Sequence, residues 1–335
     1  MGLGMKGSRG ESCTLAADVG GSGLKLAYGT TSGELSRSWT VPIGKLRRRG
    51  DVVEGIVAEL RDAVAEAPPE LHPRSVGLVI PGIVDEFAGV GRLSLILQWR
   101  DVPFRRLVSE ATGLPVNVGH DVGAGAMAEG RLGAARGLSE WLFLALGTGL
   151  GSAFVLNGRP YRGVNGYGGE LSHVVAVPNG PLCRCGKRGC LEMLASASAI
   201  ATRYSESRGT GEAVTASEVI RRMRAGDGTA ARIWSEAIAA LAVVVAGCVE
   251  SLNPSTIVIG GGLAEAGVLL FEPFTRSLLP QIRFVNPSPE IRSAQLGLFA
   301  GLYGAALLGL EAAELEVTVA GLRPTPHGAD RGTAK

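Results

Sequence analysis

Apolar and polar positions in the first part of the chain predict strands before helices. The stretch "SCTLAADVGGSGLKLAYGTTSGELSRSWTV" has apolar runs separated by Gly, Ser and Thr, which indicates three antiparallel strands joined by short hairpins. The next segment, "DVVEGIVAELRDAVAEA", has helical spacing, with Asp51 as its N-cap. A buried strand in "SVGLVIPG", a helix in "PFRRLVSEATG", a strand in "LPVNVGHD" and a helix beginning near Val122 complete this part.

The same order begins again near the middle of the chain. The stretch "WLFLALGTGLGSAFVLNGRPYRG" predicts two strands around a glycine turn, followed by a turn at Asn157-Gly158. A helical stretch from Ser196 to Asn253 leads into the buried strand "STIVIGGG", and "RSAQLGLFAGLYGAALLGL" predicts an apolar helix. The repeated order predicts an α/β protein of two lobes with a cleft between them.

Length and composition agree with two globular lobes. The chain has 335 residues, more than one typical core. We expect an N-terminal lobe over 12–121, a C-terminal lobe over 122–291 with a zinc-binding loop, a helix over 292–312 that packs back towards the first lobe, and a disordered tail over 321–335. The longest apolar run, Ala237–Val249, is shorter than the ~17–25 residues of a membrane span and predicts a buried core helix.

Charge and the first residues narrow the class of partners. The formal net charge of +2 leaves no strong electrostatic footprint for nucleic acid, and the basic run Lys45–Arg49 is interpreted as a solvated loop. The first residues lack an apolar stretch of signal-peptide length, and Lys6 stands where a myristoylation signal needs Ser or Thr. We therefore expect a cytoplasmic protein that binds neither membrane nor nucleic acid. In that compartment clustered cysteines are more often metal ligands than disulfides.

The chain contains 50 glycines, and those between the first two predicted strands are typical of a phosphate-binding turn. In "ADVGGSGLK", Gly20 and Gly21 would let the chain turn sharply, and backbone N–H groups would form a nest for anions. The residues that we assign to ATP and phosphate binding here are Asp18, Gly20, Gly21, Ser22 and Lys25. Asp18 would hold Mg²⁺ directly or through water, and Lys25 would reach phosphate. An ordinary glycine-rich hairpin is the alternative.

A second glycine turn, in "LGTGLGSAFVLNG", repeats this pattern with Gly147, Thr148 and Gly149. A dinucleotide fingerprint needs GxGxxG before a helix, whereas this turn reads GxGxG before a strand, and the sequence contains no GxxxxGK[ST] loop. The two turns therefore indicate a phosphate chain held from two lobes. A third glycine group contributes Gly261 and Gly262, which would lie under an adenosine.

Three of the five cysteines and one histidine fall within a single short stretch. One imidazole and three thiolates suit a tetrahedral Zn²⁺ site. The four ligands would be His173, Cys183, Cys185 and Cys190. Cys183 and Cys185 are too close in sequence to bridge each other comfortably, and a Cys183–Cys190 disulfide and accidental clustering are the alternatives. Cys13 and Cys248 have apolar neighbours and are interpreted as buried thiols.

The order of these motifs resembles the ROK family of sugar kinases and sugar-responsive repressors. The motifs are "DVGGSGLK", "IPG", "HD", "LGTGLGS", "GELSH", "CRCGKRGCLE" and "IVIGGG", and the resemblance covers roughly residues 14 to 312. It implies the two-lobed actin-like ATPase (ribonuclease H-like) fold, with the active site in the cleft between the lobes. ATP and Mg²⁺ as cofactors, a structural Zn²⁺ and a homodimer are further implications of the resemblance.

The resemblance assigns roles to side chains of the cleft. Asp121 matches the catalytic aspartate that takes the proton of the sugar hydroxyl. A carboxylate at the end of a strand can also orient that hydroxyl for in-line attack on a γ-phosphoryl group. Glu170, His173 and Glu192 match residues that hold sugar hydroxyls, with the second nitrogen of His173 left for zinc. The cysteine stretch would then be a metal clip that holds two glutamates and a histidine around a polar substrate.

Three positions depart from the family's glucokinases. His120 and Gly123 stand where Asn is usual, and Ile96 or a neighbouring leucine stands where a sugar-binding Asn is expected. If His120 binds substrate, the site has one new imidazole and an apolar wall, where an unpaired hydroxyl would cost about 1–3 kcal/mol. We therefore expect a hexose-like ring altered at one or two positions, such as a kanosamine-like amino sugar or a C7-cyclitol. Glucose is the alternative.

The sequence thus predicts an ATP- and Mg²⁺-dependent kinase that phosphorylates a primary hydroxyl of a hexose or hexose-like ring. The alternatives are a sugar-sensing regulator of the same family and a sugar-binding protein without turnover. A regulator would carry a helix-turn-helix ahead of the first hairpin, where only about a dozen residues stand. The presence of Asp18, Lys25 and Asp121 favours catalysis over binding alone.

Overall fold

The computed structural model describes residues 11–209 and 213–316, so the predicted tail over 321–335 lies outside the described residues. The strands are β1 (Glu11–Val19), β2 (Gly23–Thr30), β3 (Leu35–Pro42), β4 (Leu71–Ile80), β5 (Ile83–Asp85), β6 (Val90–Ser94), β7 (Trp99–Val102), β8 (Val116–His120), β9 (Trp141–Leu146), β10 (Leu150–Leu156), β11 (Arg159–Pro160), β12 (Thr256–Gly260) and β13 (Glu290–Ser293). The α-helices are α1 (Ile43–Leu46), α2 (Val52–Ala65), α3 (Phe104–Thr112), α4 (Asp121–Leu132), α5 (Glu192–Ala195), α6 (Ala197–Arg208), α7 (Ala216–Arg224), α8 (Gly228–Leu252), α9 (Val268–Leu278) and α10 (Ala300–Ala312).

The first five-stranded sheet has the order β3-β2-β1-β4-β8. β1, β2 and β3 form the predicted antiparallel meander, and β4 and β8 continue the sheet in parallel with β1. α2 begins at the predicted N-cap, where the Asp51 side chain accepts the N–H groups of Val53 and Glu54. Because parallel strands end at the same edge of a sheet, the residues that follow β1, β4 and β8 lie close together.

The second five-stranded sheet has the order β11-β10-β9-β12-β13, which repeats the first. β9, β10 and β11 pair antiparallel, and β12 and β13 add in parallel to β9. The predicted turn at Asn157-Gly158 joins β10 to β11, with both residues at positive φ. One boundary was wrong: the apolar helix does not begin near Arg292, which lies in β13, but at Ala300.

A small third sheet, with the order β5-β6-β7, was not predicted from the sequence. Its strands have only three to five residues, and the turns between them interrupt the apolar alternation. The β6–β7 turn carries Ile96, whose Cγ2 lies only 3.0 Å from where a Cβ on Gly21 would stand. The small sheet therefore brings an apolar side chain to the first glycine turn.

Two long apolar helices complete the cores. α8 has the length and composition of a membrane span, yet 61% of its most apolar window is buried within the protein, as expected for a core helix. α10 lies on the first sheet, where a Cβ on Gly77 of β4 would stand 1.8 Å from the Ala305 carbonyl oxygen. Ser75 of β4 donates its hydroxyl to the Gly309 carbonyl at 2.6 Å. The last described helix is therefore part of the N-terminal core.

Candidate active site

A buried carboxylate and a lysine meet at the β1–β2 turn. Asp18 is 8% exposed, and Lys25 Nζ lies 3.2 Å from its Oδ2. Lys25 also donates to the Leu298 carbonyl at 3.1 Å, just before α10. Burial raises the pKa of Asp18, the Lys25 ammonium lowers it, and the negative charge of Asp121 raises it. The structure thus brings together the three charged side chains that the sequence assigned to the reaction.

The backbone conformation of this turn does not itself require glycine at either position. Neither Gly20 nor Gly21 has a positive φ, so neither supplies a left-handed turn. The Gly20 N–H donates to the Gly23 carbonyl at 2.8 Å, and the atom nearest to a Cβ at Gly20 would be 3.5 Å away. The absent side chain at Gly20 is therefore explained neither by backbone conformation nor by packing, and it leaves the turn bare.

The β9–β10 turn also lacks side chains at its glycines, but it is held by contacts of a different kind. Gly147 has no positive φ, and a Cβ there would be 4.0 Å from its nearest neighbour. Ser198, near the start of α6, donates its hydroxyl to the Thr148 carbonyl at 2.6 Å. A Cβ on Gly149 would lie 3.0 Å from Glu192 Oε1. The second turn is therefore joined to the segment that follows the cysteine stretch.

The glycines after β12 differ from one another. Gly261 has φ +82°, and a Cβ there would stand 2.4 Å from the Leu146 carbonyl oxygen at the end of β9. The fold itself therefore requires glycine at 261. Gly262 has open space around its Cβ position. Of the two predicted adenosine contacts, only Gly262 is left without a structural reason for being glycine.

Asp121 is the first residue of α4, directly after β8. Its Oδ1 accepts the Val122 N–H at 2.8 Å and lies 3.3 Å from His120 Nε2. The side chain is 30% exposed, and burial raises the pKa of Asp121 to about 6. A carboxylate with that pKa is ionised at neutral pH and still basic enough to accept a proton from a hydroxyl in a transition state.

His120 is held by protein on both ring nitrogens. Nε2 faces Asp121, and Nδ1 lies 3.3 Å from Nη1 of Arg162, which follows β11. Burial, and then the Arg162 guanidinium, lowers the pKa of His120 to about 4, so the ring is neutral at pH 7. Direct contact between His120 and a sugar stays a prediction. Such a contact would have to displace Asp121 or Arg162 from one of the two ring nitrogens.

Arg162 and Glu86 were missed in the sequence. Arg162 Nη2 donates to Glu86 Oε1 at 2.7 Å, and the same oxygen accepts the backbone N–H of His120 at 2.9 Å. Neither residue belongs to a motif. The one signal was the glycine at position 123, whose absent side chain leaves space that the Arg162 guanidinium fills.

The four predicted metal ligands converge. One donor atom from each lies within 4.8 Å of the other three. The His173 Nδ1 to Cys183 Sγ distance is 3.6 Å, and the Cys185 Sγ to Cys190 Sγ distance is 3.5 Å. Tetrahedral zinc with Zn–S bonds of about 2.3 Å places its ligand atoms about 3.8 Å apart, so this set fits the ion. We refer to residues 173–190 as the cysteine clip.

Two glutamates flank the cysteine clip as the sequence indicated. Glu170 is exposed, and its carbonyl accepts the His173 N–H at 3.2 Å. Glu192 is half-buried at the start of α5 and reaches the second glycine turn. The two cysteines outside the clip, Cys13 and Cys248, are buried thiols, and burial raises the pKa of each to about 11.

Comparisons with known proteins find relatives along most of the chain. The model of the ROK family matches residues 14–312. A glucokinase from Halalkalibacterium halodurans is 34% identical over 312 residues, covering 87% of this chain and 92% of that protein. An N-acetylmannosamine kinase from Haemophilus influenzae is 31% identical and covers 87% and 93%. The crystal structure of a ROK family glucokinase from Streptomyces griseus, in complex with glucose and AMPPNP, is 28% identical, has a TM-score of 0.77 and covers 89% of this chain and 99% of that one.

Proposed function

The chain belongs to the ROK family and is an ATP-dependent sugar kinase with the actin-like fold, and on that premise we propose that it phosphorylates the primary hydroxyl of a hexose or hexose-like ring. The observation that carries the proposal is the meeting of Asp18, Lys25 and Asp121 at one edge of the first sheet. A kinase needs a cation site, a phosphate-binding cation and a group that orients the acceptor, and these side chains offer all three.

Each proposed role follows from position. Asp18 is the buried carboxylate beside the first glycine turn and would hold Mg²⁺, whose preferred ligands are carboxylate and phosphate oxygens. When bound, that ion neutralises charge on the transferred phosphoryl group. Lys25 would contact phosphate, together with the backbone N–H groups of Gly21 and Ser22, while Gly20, whose own N–H donates to the Gly23 carbonyl, would let the phosphate approach. From the second lobe, Gly147, Thr148 and Gly149 would close on the same phosphates, with Gly261 and Gly262 under the adenosine.

Asp121 would orient the acceptor hydroxyl and take its proton. The loose transition state of phosphoryl transfer makes alignment more important than basicity. Glu170, His173 and Glu192 would bind the remaining hydroxyls, with Nδ1 of His173 on a structural Zn²⁺ and Nε2 facing the sugar. The zinc would brace this wall without taking part in the chemistry.

We propose that the preferred ring differs from glucose at one or two positions. Ile96 is 56% exposed beside the first turn, so it presents an apolar surface where a sugar hydroxyl would find no partner. Because an unsatisfied buried hydroxyl costs about 1–3 kcal/mol, a ring with that group replaced would be favoured. A kanosamine-like amino sugar and a C7-cyclitol are the first candidates, and glucose is the reference substrate.

The setting of the reaction is also part of the proposal. Clustered cysteines that bind a metal are more typical of a reducing compartment, which would be the cytoplasm. We expect a homodimer, on the ground of family membership. Sugar and ATP would be its ligands, without nucleic acid or membrane.

A substrate panel tests this function. ADP release would be measured with glucose, amino sugars and cyclitols, and the position of the phosphate would be assigned by NMR. We expect phosphate on the primary hydroxyl, and a loss of about 10²–10⁴ in kcat for Asp121→Asn. Glu110→Gln, which removes an exposed carboxylate on α3, is the matched control and should leave kcat unchanged. Sugar-dependent turnover that survives Asp121→Asn would remove Asp121 from this role.

A further inference from the structure

The Arg162 guanidinium, from the segment after β11, lies against the first turn of α4. A Cβ on Gly123 would stand 1.6 Å from Arg162 Nη2, far inside van der Waals contact. Any residue other than glycine at 123 would therefore push the guanidinium away. The departure from Asn at this position gives Arg162 its place.

Two contacts fix the guanidinium there. Nη2 donates to Glu86 Oε1 at 2.7 Å, and Nη1 lies 3.3 Å from His120 Nδ1. The Arg162 side chain is only 18% exposed, and its buried Nε–H has no hydrogen-bond partner within residues 11–209 and 213–316. Glu86 joins the two residues, because its Oε1 also accepts the backbone N–H of His120 at 2.9 Å.

The chemistry of arginine decides the tautomer of His120. A guanidinium has donors and no acceptor, so Nδ1 must accept from Arg162. In the neutral imidazole the single proton is then on Nε2, and this N–H faces the Asp121 carboxylate with Nε2 3.3 Å from Oδ1, as a dipole beside a charge. The Val122 N–H donates to the same oxygen at 2.8 Å, so both polar neighbours lie at Oδ1 and Oδ2 is left for the acceptor hydroxyl.

We propose that Arg162 is a positioning residue for Asp121: by holding His120 in its Nε2–H tautomer, it turns the Asp121 carboxylate so that Oδ2 meets the sugar hydroxyl. The inference rests on the proposed function and deepens it, since it assigns how the proposed base is oriented. Arg162 touches neither reacting atom in this role and acts through His120.

Charges around the pair set the expected pH response. Burial raises the pKa of Asp121 to about 6, and Arg162 and Lys25 lower it, while Asp18 faces it with a like charge. Burial and Arg162 lower the pKa of His120, while Glu170 and Glu86 raise it. Loss of the Arg162 cation therefore raises both pKa values, which moves the acid limb of activity to higher pH.

Three variants separate charge from geometry. Arg162→Met removes both, Arg162→Lys keeps the charge without the planar fork, and Gly123→Ala leaves Arg162 intact but displaces it. For each we expect kcat to fall about 10–100-fold, the equivalent of one charge-assisted hydrogen bond, with the KM for ATP unchanged. The acid limb of kcat/KM should shift upward in Arg162→Met and stay in place in Arg162→Lys.

Controls keep the test independent of folding. Gly130→Ala lies on the same helix, where a new Cβ meets Trp141 at an ordinary 3.5 Å, and should leave kcat unchanged. The double variant Arg162→Met with Gly123→Ala should be no slower than either single variant, because both remove one interaction. Wild-type kcat in Arg162→Met and Gly123→Ala, or fully additive losses, would overturn the proposal.

Imidazole ¹⁵N shifts give a readout that needs no substrate. The chain has four histidines, so His120 is assigned by comparison with His120→Gln. We expect a protonated Nε2 and an unprotonated Nδ1 in the wild type, and a mixture of tautomers in Arg162→Met and Gly123→Ala. An unchanged tautomer in both variants would overturn the inference even if kcat falls. A wild type that phosphorylates none of the sugars would instead remove the proposed function, while the shifts still decide the tautomer.

Discussion

The two glycine turns occupy equivalent positions in two sheets of the same order, yet they carry different chemistry. The first lies between Asp18 and Lys25, and the third parallel strand of its sheet ends at His120, directly before Asp121. The second, from Leu146 to Leu150, has no charged residue, and it is tied to α6 through Ser198 and approached by Glu192. The fold is repeated, and the charge is not.

This difference indicates a division of labour. Fixed charge beside the transferred phosphoryl group stabilises the charge of the transition state. Uncharged backbone on the other side can contact the nucleotide closely and still let it enter and leave. The first sheet supplies the charge. The second supplies bare backbone and a wall braced by the cysteine clip. Four predictions test this division.

The largest effect is expected from the cysteine clip. Cys190→Ala removes a buried ligand, and since a structural zinc site contributes an apparent ~10–16 kcal/mol, we expect loss of bound metal and a large fall in the unfolding temperature. Cys248→Ala, which changes a buried thiol outside the clip, is the control and should keep the metal. Metal analysis and thermal unfolding measure both. A metal-free wild type with full activity would contradict the bracing role.

A smaller effect is expected from the charge of the first turn. Asp18→Asn keeps the shape of the side chain and removes the carboxylate, which should lower kcat by about 10²–10³, as for other losses of a group that stabilises transition-state charge. Thr148→Val in the second turn should cost less than tenfold, because backbone atoms do the binding there. Steady-state kinetics with saturating sugar compares the two. Equal losses would mean that the turns share the charge stabilisation.

A pair of glycine substitutions separates structure from binding. Gly261→Ala should destabilise the protein by about 1–3 kcal/mol, since its φ of +82° and its contact with the Leu146 carbonyl both oppose a side chain. Gly147→Ala should leave the free energy of unfolding unchanged and raise the KM for ATP. Urea unfolding and nucleotide titration report the two effects. A stability loss in Gly147→Ala would show that the bare turn serves the fold.

Near neutral pH, the smallest effect is expected from a change in pH. Burial raises the pKa of Asp121 to about 6, so the carboxylate loses its charge as pH falls through that value. We expect kcat/KM to be constant above pH 7 and to fall about tenfold per pH unit well below 6. The dependence of kcat/KM on pH, measured from about pH 4.5 to about pH 8 with the stability of the protein checked at each pH, locates this limb. A limb near pH 4 would point to an unperturbed carboxyl.

Elements set by neighbouring residues could be predicted from the sequence, and those set by distant ones could not. The Asp51 cap, the hairpin at Asn157-Gly158 and the convergent clip ligands all depend on spacing within a short stretch. The strands β5 to β7 are too short for a periodic signal. The placement of Arg162 beside Glu86 and His120 depends on contact between segments that are far apart in the sequence, which spacing alone does not encode.

The position of α10 affects how the first sheet can fold during synthesis. Gly77 and Ser75 of β4 contact a helix that is translated much later, since Ser75 and its partner Gly309 are 234 residues apart in the sequence. The first sheet is translated early, but one of its faces stays uncovered until that helix arrives. We therefore expect the uncovered face of the nascent first sheet to need protection by chaperones, and truncations that remove α10 to precipitate even though they leave every proposed catalytic residue in place.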